Sequence, residues 1–278
     1  MQSILPKIIG FTLNVLSLIL PKKAAQKAFD LFVTPRKGRV KSHQNDFLSN
    51  FKKQVISSDD GDVMTYDDGR SGIGILLCHG WESNSSRWKK LYTYLSNVNC
   101  NIIMMDAPAH GNTSGMKFDA LKYVNMMDSV CGMYKPKIII SHSVGGYSSL
   151  IFAADRKPKS LEHLIVLAPA DKLVDITNRY FDMMSYWPRL RKYYDALIKT
   201  KFGEDISYYS ASKFAKSLQI SGLIIHDKED NVNLFYESEA IHESWAASQF
   251  IPTIGFGHSL QNEEVYSHIS HYIQKANN

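Results

Sequence analysis

Cysteine is scarce. Cys78, Cys100 and Cys131 are the only three in 278 residues, an odd number, each among apolar neighbours. That excludes a disulfide framework and offers no metal-ligand spacing, so reduced thiols in a cytoplasmic setting are expected. Neither a metal nor an organic cofactor is implied. Long hydrophobic runs are missing as well. The most apolar stretch, Ile4 to Leu20, is too short and too interrupted to span a bilayer. It also makes a poor secretory signal, because Lys7 is its only basic residue and Lys22-Lys23 immediately follow it. No strong charge excess exists: 32 basic against 27 acidic side chains leave a net +5. The one small basic group, Pro35-Arg36-Lys37-Gly38-Arg39-Val40-Lys41, carries no nucleic-acid motif and reads as a solvated connector, so no nucleic-acid partner is expected. Internal repeats are absent. With 44% hydrophobic and 21% charged residues, what remains is an ordinary globular chain, long enough for one substantial core.

Two helices are expected first. In Ile4 to Leu20 the polar residues Ser3, Lys7, Gly10, Asn14 and Ser17 recur at steps of four and three, one narrow stripe on an otherwise apolar helix. Pro6 suits its start and Pro21 its stop. Lys22 to Val33 follows, with an apolar stripe of Ala24, Ala25, Ala28, Phe29 and Phe32, and Thr34-Pro35 ends it. An interfacial membrane helix usually carries many Lys and Arg on its polar face. This one carries Lys7 alone, so residues 1–36 are expected to pack on protein rather than lie on a membrane.

Residues 37–278 read as one α/β domain. Arg39 to His43, Gln54 to Ser57 and Val63 to Tyr66 are short strand candidates, separated by Asp-Gly turns. Regular alternation follows. Strands are expected over Ile73 to Cys78, Asn101 to Asp106, Lys137 to Ser141, Leu161 to Leu167, Leu223 to His226 and Gln249 to Thr253, with helices between them and a closing helix from Glu263 to Gln274. Apolar strands alternating with helices give a mostly parallel sheet covered on both faces. Residues 171–217 break the pattern. They carry no strand signal, are rich in aromatics, and fall between two strands at the sheet end where sites form. A helical cap is expected there, with Tyr186 and Trp187 as candidate substrate contacts.

The chemistry centres on Ile138-Ile139-Ile140-Ser141-His142-Ser143-Val144-Gly145-Gly146. A buried strand runs into a Ser flanked by small residues, then into a helix. That is a nucleophile elbow, whose strained apex leaves room only for small neighbours. Other groups stand at the ends of the other strands: His79-Gly80-Trp81, Asp106-Ala107-Pro108-Ala109-His110-Gly111, His226-Asp227-Lys228-Glu229-Asp230, and Gly255-Phe256-Gly257-His258. A Ser hydroxyl is a poor nucleophile without a base. His258 is the candidate base, since its Gly-rich loop can reach the elbow. A carboxylate must fix its tautomer; Asp227 and Asp230 compete, and Asp230 is favoured.

With these five motifs in order, the chain from Ile73 onward resembles the α/β-hydrolase family, in an esterase/lipase-like bacterial branch. The resemblance implies a Ser143–His258–Asp230 triad and an oxyanion hole from the backbone N–H groups of Trp81 and Val144. Relatives of this fold that open epoxides or carbon–halogen bonds carry Asp at the elbow, so Ser143 points to acyl chemistry. Carboxylic ester hydrolysis on a small acyl ester is expected. An acyltransferase or thioesterase on the same fold, a membrane-surface lipase, and a non-catalytic ligand-binding protein are the alternatives. Ser141 and Ala109 replace common glycines, and Asn233 stands where a Pro is usual.

Overall fold

The structure, a computed structural model, describes residues 4–276; Ser3, at the head of the polar stripe, lies outside them. The chain forms two compact units. The larger comprises Pro35–Asp171 and Ala211–Asn278, the smaller Met1–Thr34 and Lys172–Ser210.

The larger unit is built on one eight-stranded sheet. Its strands are β1 (Lys52–Ser58), β2 (Gly61–Asp67), β3 (Ile73–Cys78), β4 (Cys100–Met105), β5 (Ile138–His142), β6 (His163–Leu167), β7 (Ser221–Asp227) and β8 (Ser248–Thr253), in the order β1-β2-β4-β3-β5-β6-β7-β8. β1 and β2 form an antiparallel hairpin, and β2 joins β4 antiparallel. From β4 to β8 every pairing is parallel. All five residues of β5 are buried, as the β-branched run Ile138-Ile139-Ile140 demands of a strand covered on both faces. The helices are α3 (Ser42–Leu48), α4 (Lys89–Tyr94), α5 (Ala120–Tyr134), α6 (Val144–Arg156), α9 (Ala211–Ala215), α10 (Phe235–Ser244) and α11 (Glu263–Ala276). The three cysteines are buried free thiols.

The strand expected at Arg39 to His43 is not there. Arg39 makes one bridge, to Gly111, and helix α3 begins at Ser42. The Gln44 side chain accepts from the Lys41 N–H at 2.8 Å and caps the helix start. Phe47 and Leu48 then reach the sheet's core. The alternation in Arg39-Val40-Lys41 was too short to outweigh a cap with an apolar pair behind it.

The smaller unit is helical. α1 (Leu5–Ile19) and α2 (Pro21–Val33) pack with α7 (Leu173–Met184) and α8 (Pro188–Phe202). Ala24, Ala28, Phe29, Tyr180, Tyr194 and Ile198 are among its buried residues. α1 ends at Ile19 and Pro21 opens α2, as expected of a residue that supplies no N–H to the turn before it. α1 contributes Leu13, but otherwise buries Gly10, Asn14 and Ser17. The Asn14 side chain donates to the Ser185 carbonyl at 2.9 Å and accepts from the Trp187 N–H at 2.8 Å. Gly10 lies against the Met184 carbonyl so closely that a Cβ would collide with it. From Gly10 to Ser17 the polar stripe of α1 therefore faces protein, while Lys7 is exposed.

Candidate active site

The parallel strands end their carboxyl edges in the loops that carry the polar groups. β5 ends at His142, and Ser143 follows with φ 56° and ψ −125°. A non-glycine residue in that region is strained, at a cost of about 1–3 kcal/mol. The surroundings over-determine it. The Ser143 N–H donates to the Leu167 carbonyl at 2.9 Å, and its carbonyl accepts from Tyr147 at 3.0 Å, opening α6. A Cβ on Gly145 would stand 2.5 Å from the His79 carbonyl oxygen, and one on Gly80 2.8 Å from the Ser143 Cβ. Glycine at both positions lets the end of β3 run directly past the elbow. Ser141, where glycine is more usual, is fully buried, and its hydroxyl pairs with that of Ser149 at 2.7 Å.

Three side chains from three loops meet in a row. Ser143 Oγ lies 3.1 Å from His258 Nε2, and His258 Nδ1 lies 2.7 Å from Asp230 Oδ2. The carboxylate accepts from Nδ1–H, which leaves Nε2 free to take the Ser143 proton. Asp230 Oδ1 accepts from the N–H groups of Val232 at 2.8 Å and Asn233 at 3.1 Å. Burial alone would raise the Asp230 carboxyl. Hydrogen bonds from His226 and His258, the His258 charge and the Val232 amide outweigh it and hold the group well below the ordinary carboxylate range. Asn233 also donates from its side chain to the Ala168 carbonyl at 2.9 Å. A proline at that position could give neither bond.

Asp227 has a different task. Its Oδ2 accepts from the Thr253 hydroxyl at 2.8 Å and the Phe256 N–H at 2.9 Å, and its Oδ1 from the Glu229 N–H at 3.0 Å. It ties the end of β7 to the loop that carries His258. Burial pushes its carboxyl up, but the Phe256, Thr253 and Glu229 donors together bring it below its ordinary value.

Trp81 follows Gly80 and Val144 opens α6. The Val144 N–H belongs to the helix's first turn, where no intrahelical acceptor exists. Asp106, His79 and His110 are braces. Asp106 accepts from Ser85, Tyr66 and Asn112, while His79 Nε2 accepts from the Ala107 N–H at 2.9 Å and His110 Nε2 from the Glu82 N–H at 2.9 Å. Tyr186 and Trp187 belong to the helical unit. There the Tyr186 ring packs against Phe181 and its hydroxyl pairs with that of Tyr180, while Trp187 is 39% exposed. Among the described residues no group of His, Cys, Asp or Glu is arranged to hold a metal ion.

Two histidines do more than their sequence positions suggested. His226 donates from Nε2 to Asp230 Oδ2 at 3.1 Å and to the Asn233 carbonyl at 3.0 Å, so the Asp230 carboxylate serves two imidazoles. The sequence signal was there: His226 closes the buried run Leu223-Ile224-Ile225 and has no solvent to face. His142, beside Ser143, accepts from the Arg87 guanidinium at Nδ1 and donates from Nε2 to the His258 carbonyl at 2.8 Å. Burial, the Arg87 cation and His258 push its imidazole well below the usual range and keep it neutral. Arg87 also donates to the Ser259 carbonyl at 2.9 Å. These two side chains hold the His258 loop by its backbone. Arg87 carried no sequence signal, because its partners lie 55 and 172 residues away.

Comparison with known proteins adds the following. Residues 73–201 match the family model described as serine aminopeptidase, S33. That span includes Ser143 and stops short of Asp230 and His258. No curated protein sequence matches the chain. Among solved structures, Est1E from Butyrivibrio proteoclasticus with ferulic acid bound is similar at TM-score 0.65 and 16% identity, over 80% of this chain and 98% of that one. A thermophilic esterase from Thermogutta terrifontis gives 0.62 and 17%, over 82% and 100%. A bacterial membrane phospholipase A gives 0.65 and 14%, over 99% and 98%.

Proposed function

Because this chain has the α/β-hydrolase fold and matches a serine-hydrolase family model over residues 73–201, we propose that it cleaves carboxylic esters through an acyl-enzyme on Ser143. The single observation that carries the reading is the hydrogen-bonded row from Ser143 Oγ through His258 to Asp230. As Ser143 Oγ attacks the ester carbonyl carbon, His258 Nε2 takes its proton. The carbonyl oxygen becomes an oxyanion, assigned to the N–H groups of Trp81 and Val144. A donor of this kind is worth about 3–4 kcal/mol in the transition state. The tetrahedral intermediate collapses, the bond to the alkoxy oxygen breaks, and His258 returns the proton to the departing alcohol. Water then attacks the acyl-enzyme with His258 again as base, releasing the acid and restoring Ser143. Asp230 keeps the imidazole in the required tautomer and balances its transient charge. The strained Ser143 backbone at the strand-to-helix turn supports the same assignment.

The test is covalent labelling with a fluorophosphonate, beside hydrolysis of p-nitrophenyl esters of graded chain length. The intact chain is expected to label at Ser143 and to turn over short esters. Ser143→Ala should lose labelling and about 10⁴- to 10⁶-fold in kcat, with its melting temperature unchanged. Turnover retained in a clean Ser143→Ala preparation refutes the assignment.

A further inference from the structure

Helix α1 is built inside out for a helix in water. Its buried residues are Gly10, Leu13, Asn14 and Ser17, three of them small or polar. Its outward residues are Leu5, Ile8, Phe11, Val15, Leu18 and Ile19, with Ile8 57% and Phe11 62% exposed. At 100° per residue they form one continuous arc of roughly 140°. The single polar side chain within that arc, Thr12, turns its hydroxyl back onto the Ile8 carbonyl at 3.0 Å. Lys7 stands at the edge of the arc, where a long aliphatic stem can lie along apolar surface and keep its charge in water.

The charge of the unit is equally uneven. The helical unit holds eleven basic and six acidic side chains, a net +5, which is the net charge of the whole chain. The larger unit is therefore neutral overall. Before Asp30 the chain has Lys7, Lys22, Lys23 and Lys27 and no acidic residue. An apolar face and a one-sign charge on the same unit match a surface that is apolar beneath and anionic on top. A second copy offers the opposite: pairing two such faces brings two +5 units together. Length decides between spanning and lying flat. Fifteen residues rise about 22 Å, short of the ~30 Å hydrocarbon core, and among the described residues no helix is long and apolar enough to cross a membrane.

We infer that the helical unit docks on an anionic lipid surface, with α1 lying in the interface, its Ile8–Phe11–Val15 face among the acyl chains and its lysines among the headgroups. The Asn14 side chain, and the Ser17 carbonyl that accepts from Arg189 at 3.0 Å, hold the helix from behind, so the packing fixes the apolar face outward. The sparse Lys content that argued against lipid in the sequence applies to the face of α1 that is buried. The relevant cations lie along the edge of α1 and on the helices beside it.

The experiment is sedimentation with vesicles of phosphatidylcholine alone or with about one-third phosphatidylglycerol, in low and high salt. Three forms of the full chain are compared: wild type, Ile8→Gln/Phe11→Gln/Val15→Gln, and Lys22→Glu/Lys23→Glu. Wild type should pellet with the anionic vesicles and release partly in high salt. The triple variant should lose at least ~30-fold in partitioning, because three apolar side chains no longer enter the lipid, with its melting temperature unchanged. The charge variant should lose about tenfold or more on anionic vesicles and little on neutral ones. Ser143→Ala should bind as wild type does, so this outcome is independent of the catalytic assignment. Wild type remaining in the supernatant with both lipids, or a triple variant that binds as tightly, overturns the inference. So does a lipid-free dimer in light scattering that the triple variant converts to monomer, which assigns the face to a second copy.

Discussion

Exchanging Asp230 for Asn removes a charge and almost no volume, and its effect can be followed proton by proton. Asp230 accepts four hydrogen bonds: two at Oδ1 from the Val232 and Asn233 amides, two at Oδ2 from His226 and His258. An Asn side chain has one accepting end and one donating end. Backbone amides cannot change their protons, so the amide oxygen must occupy the Oδ1 position. The NH₂ group then faces two imidazole N–H groups. His258 can accommodate it only by moving its own proton to Nε2 and accepting at Nδ1. That proton then stands between Nε2 and Ser143 Oγ, now 3.1 Å apart with lone pairs engaged the wrong way. The base is lost while every heavy atom stays in place. Asp230→Asn should cost about 10⁴ in kcat, about 5.5 kcal/mol of activation free energy, with little change in KM. Asp227→Asn provides the contrast. Its carboxylate meets a hydroxyl and two amides but no imidazole, so it should lose less than about tenfold in rate and show a lower melting temperature. Initial rates on a short p-nitrophenyl ester, with circular dichroism to check folding, decide between them. A crippled Asp227→Asn beside an active Asp230→Asn refutes the reasoning.

Stability should depend on acid in a defined direction: burial raises the Asp230 carboxyl, but His226, His258 and the Val232 amide hold it below its ordinary value. Its stabilisation is therefore complete above about pH 5 and is lost as pH falls below about 4 towards the folded value. Urea unfolding from pH 7 to pH 3 should show that acid limb in wild type and a shallower one in Asp230→Asn. His142→Phe removes the bond to the His258 carbonyl and should lower kcat about 10- to 100-fold through a displaced base, leaving KM nearly unchanged; an unchanged kcat excludes a positioning role. Gly80→Ala places a methyl 2.8 Å from the Ser143 Cβ and should cost about 10²-fold in kcat/KM, read against fluorophosphonate labelling rate.

Most of the sheet was legible because its strands are short β-branched runs buried on both faces. Ile73 to Cys78 and Ile138-Ile139-Ile140 leave no other reading. The elbow was legible for the same reason: a buried strand, a Ser and two glycines in a row have few uses. The partner residues were harder, because the bonds that sort them act across long separations. Asp227 and Asp230 stand three residues apart and look alike in sequence. Only the positions of Phe256 and His258, brought back by β8, separate Asp227 as a brace from Asp230 as the partner of His258. The role of His142 was not legible, since Arg87 and the His258 carbonyl come from distant loops. The polar stripe on α1 was visible, but its direction was not. A stripe of Gly10, Asn14 and Ser17 faces water by default, and here two backbone groups near the end of α7 turn it inward.

The helical unit joins the first 34 residues to a segment that begins at Lys172, and this imposes an order in time. During synthesis α1 and α2 emerge before the sheet, yet Ala28 and Phe29 find Tyr180 and Tyr194 only after some 150 further residues have been added. At about 5–20 residues per second that interval is roughly 10–30 s. Throughout it the nascent chain displays both the outward face of α1 and the inner face of α2, while β1 to β6 are synthesised and β7 and β8 are still to come. α1 and α2 are thus made long before the helices that cover them, and whatever surface lies near the ribosome meets the inner face of α2 before α7 and α8 do.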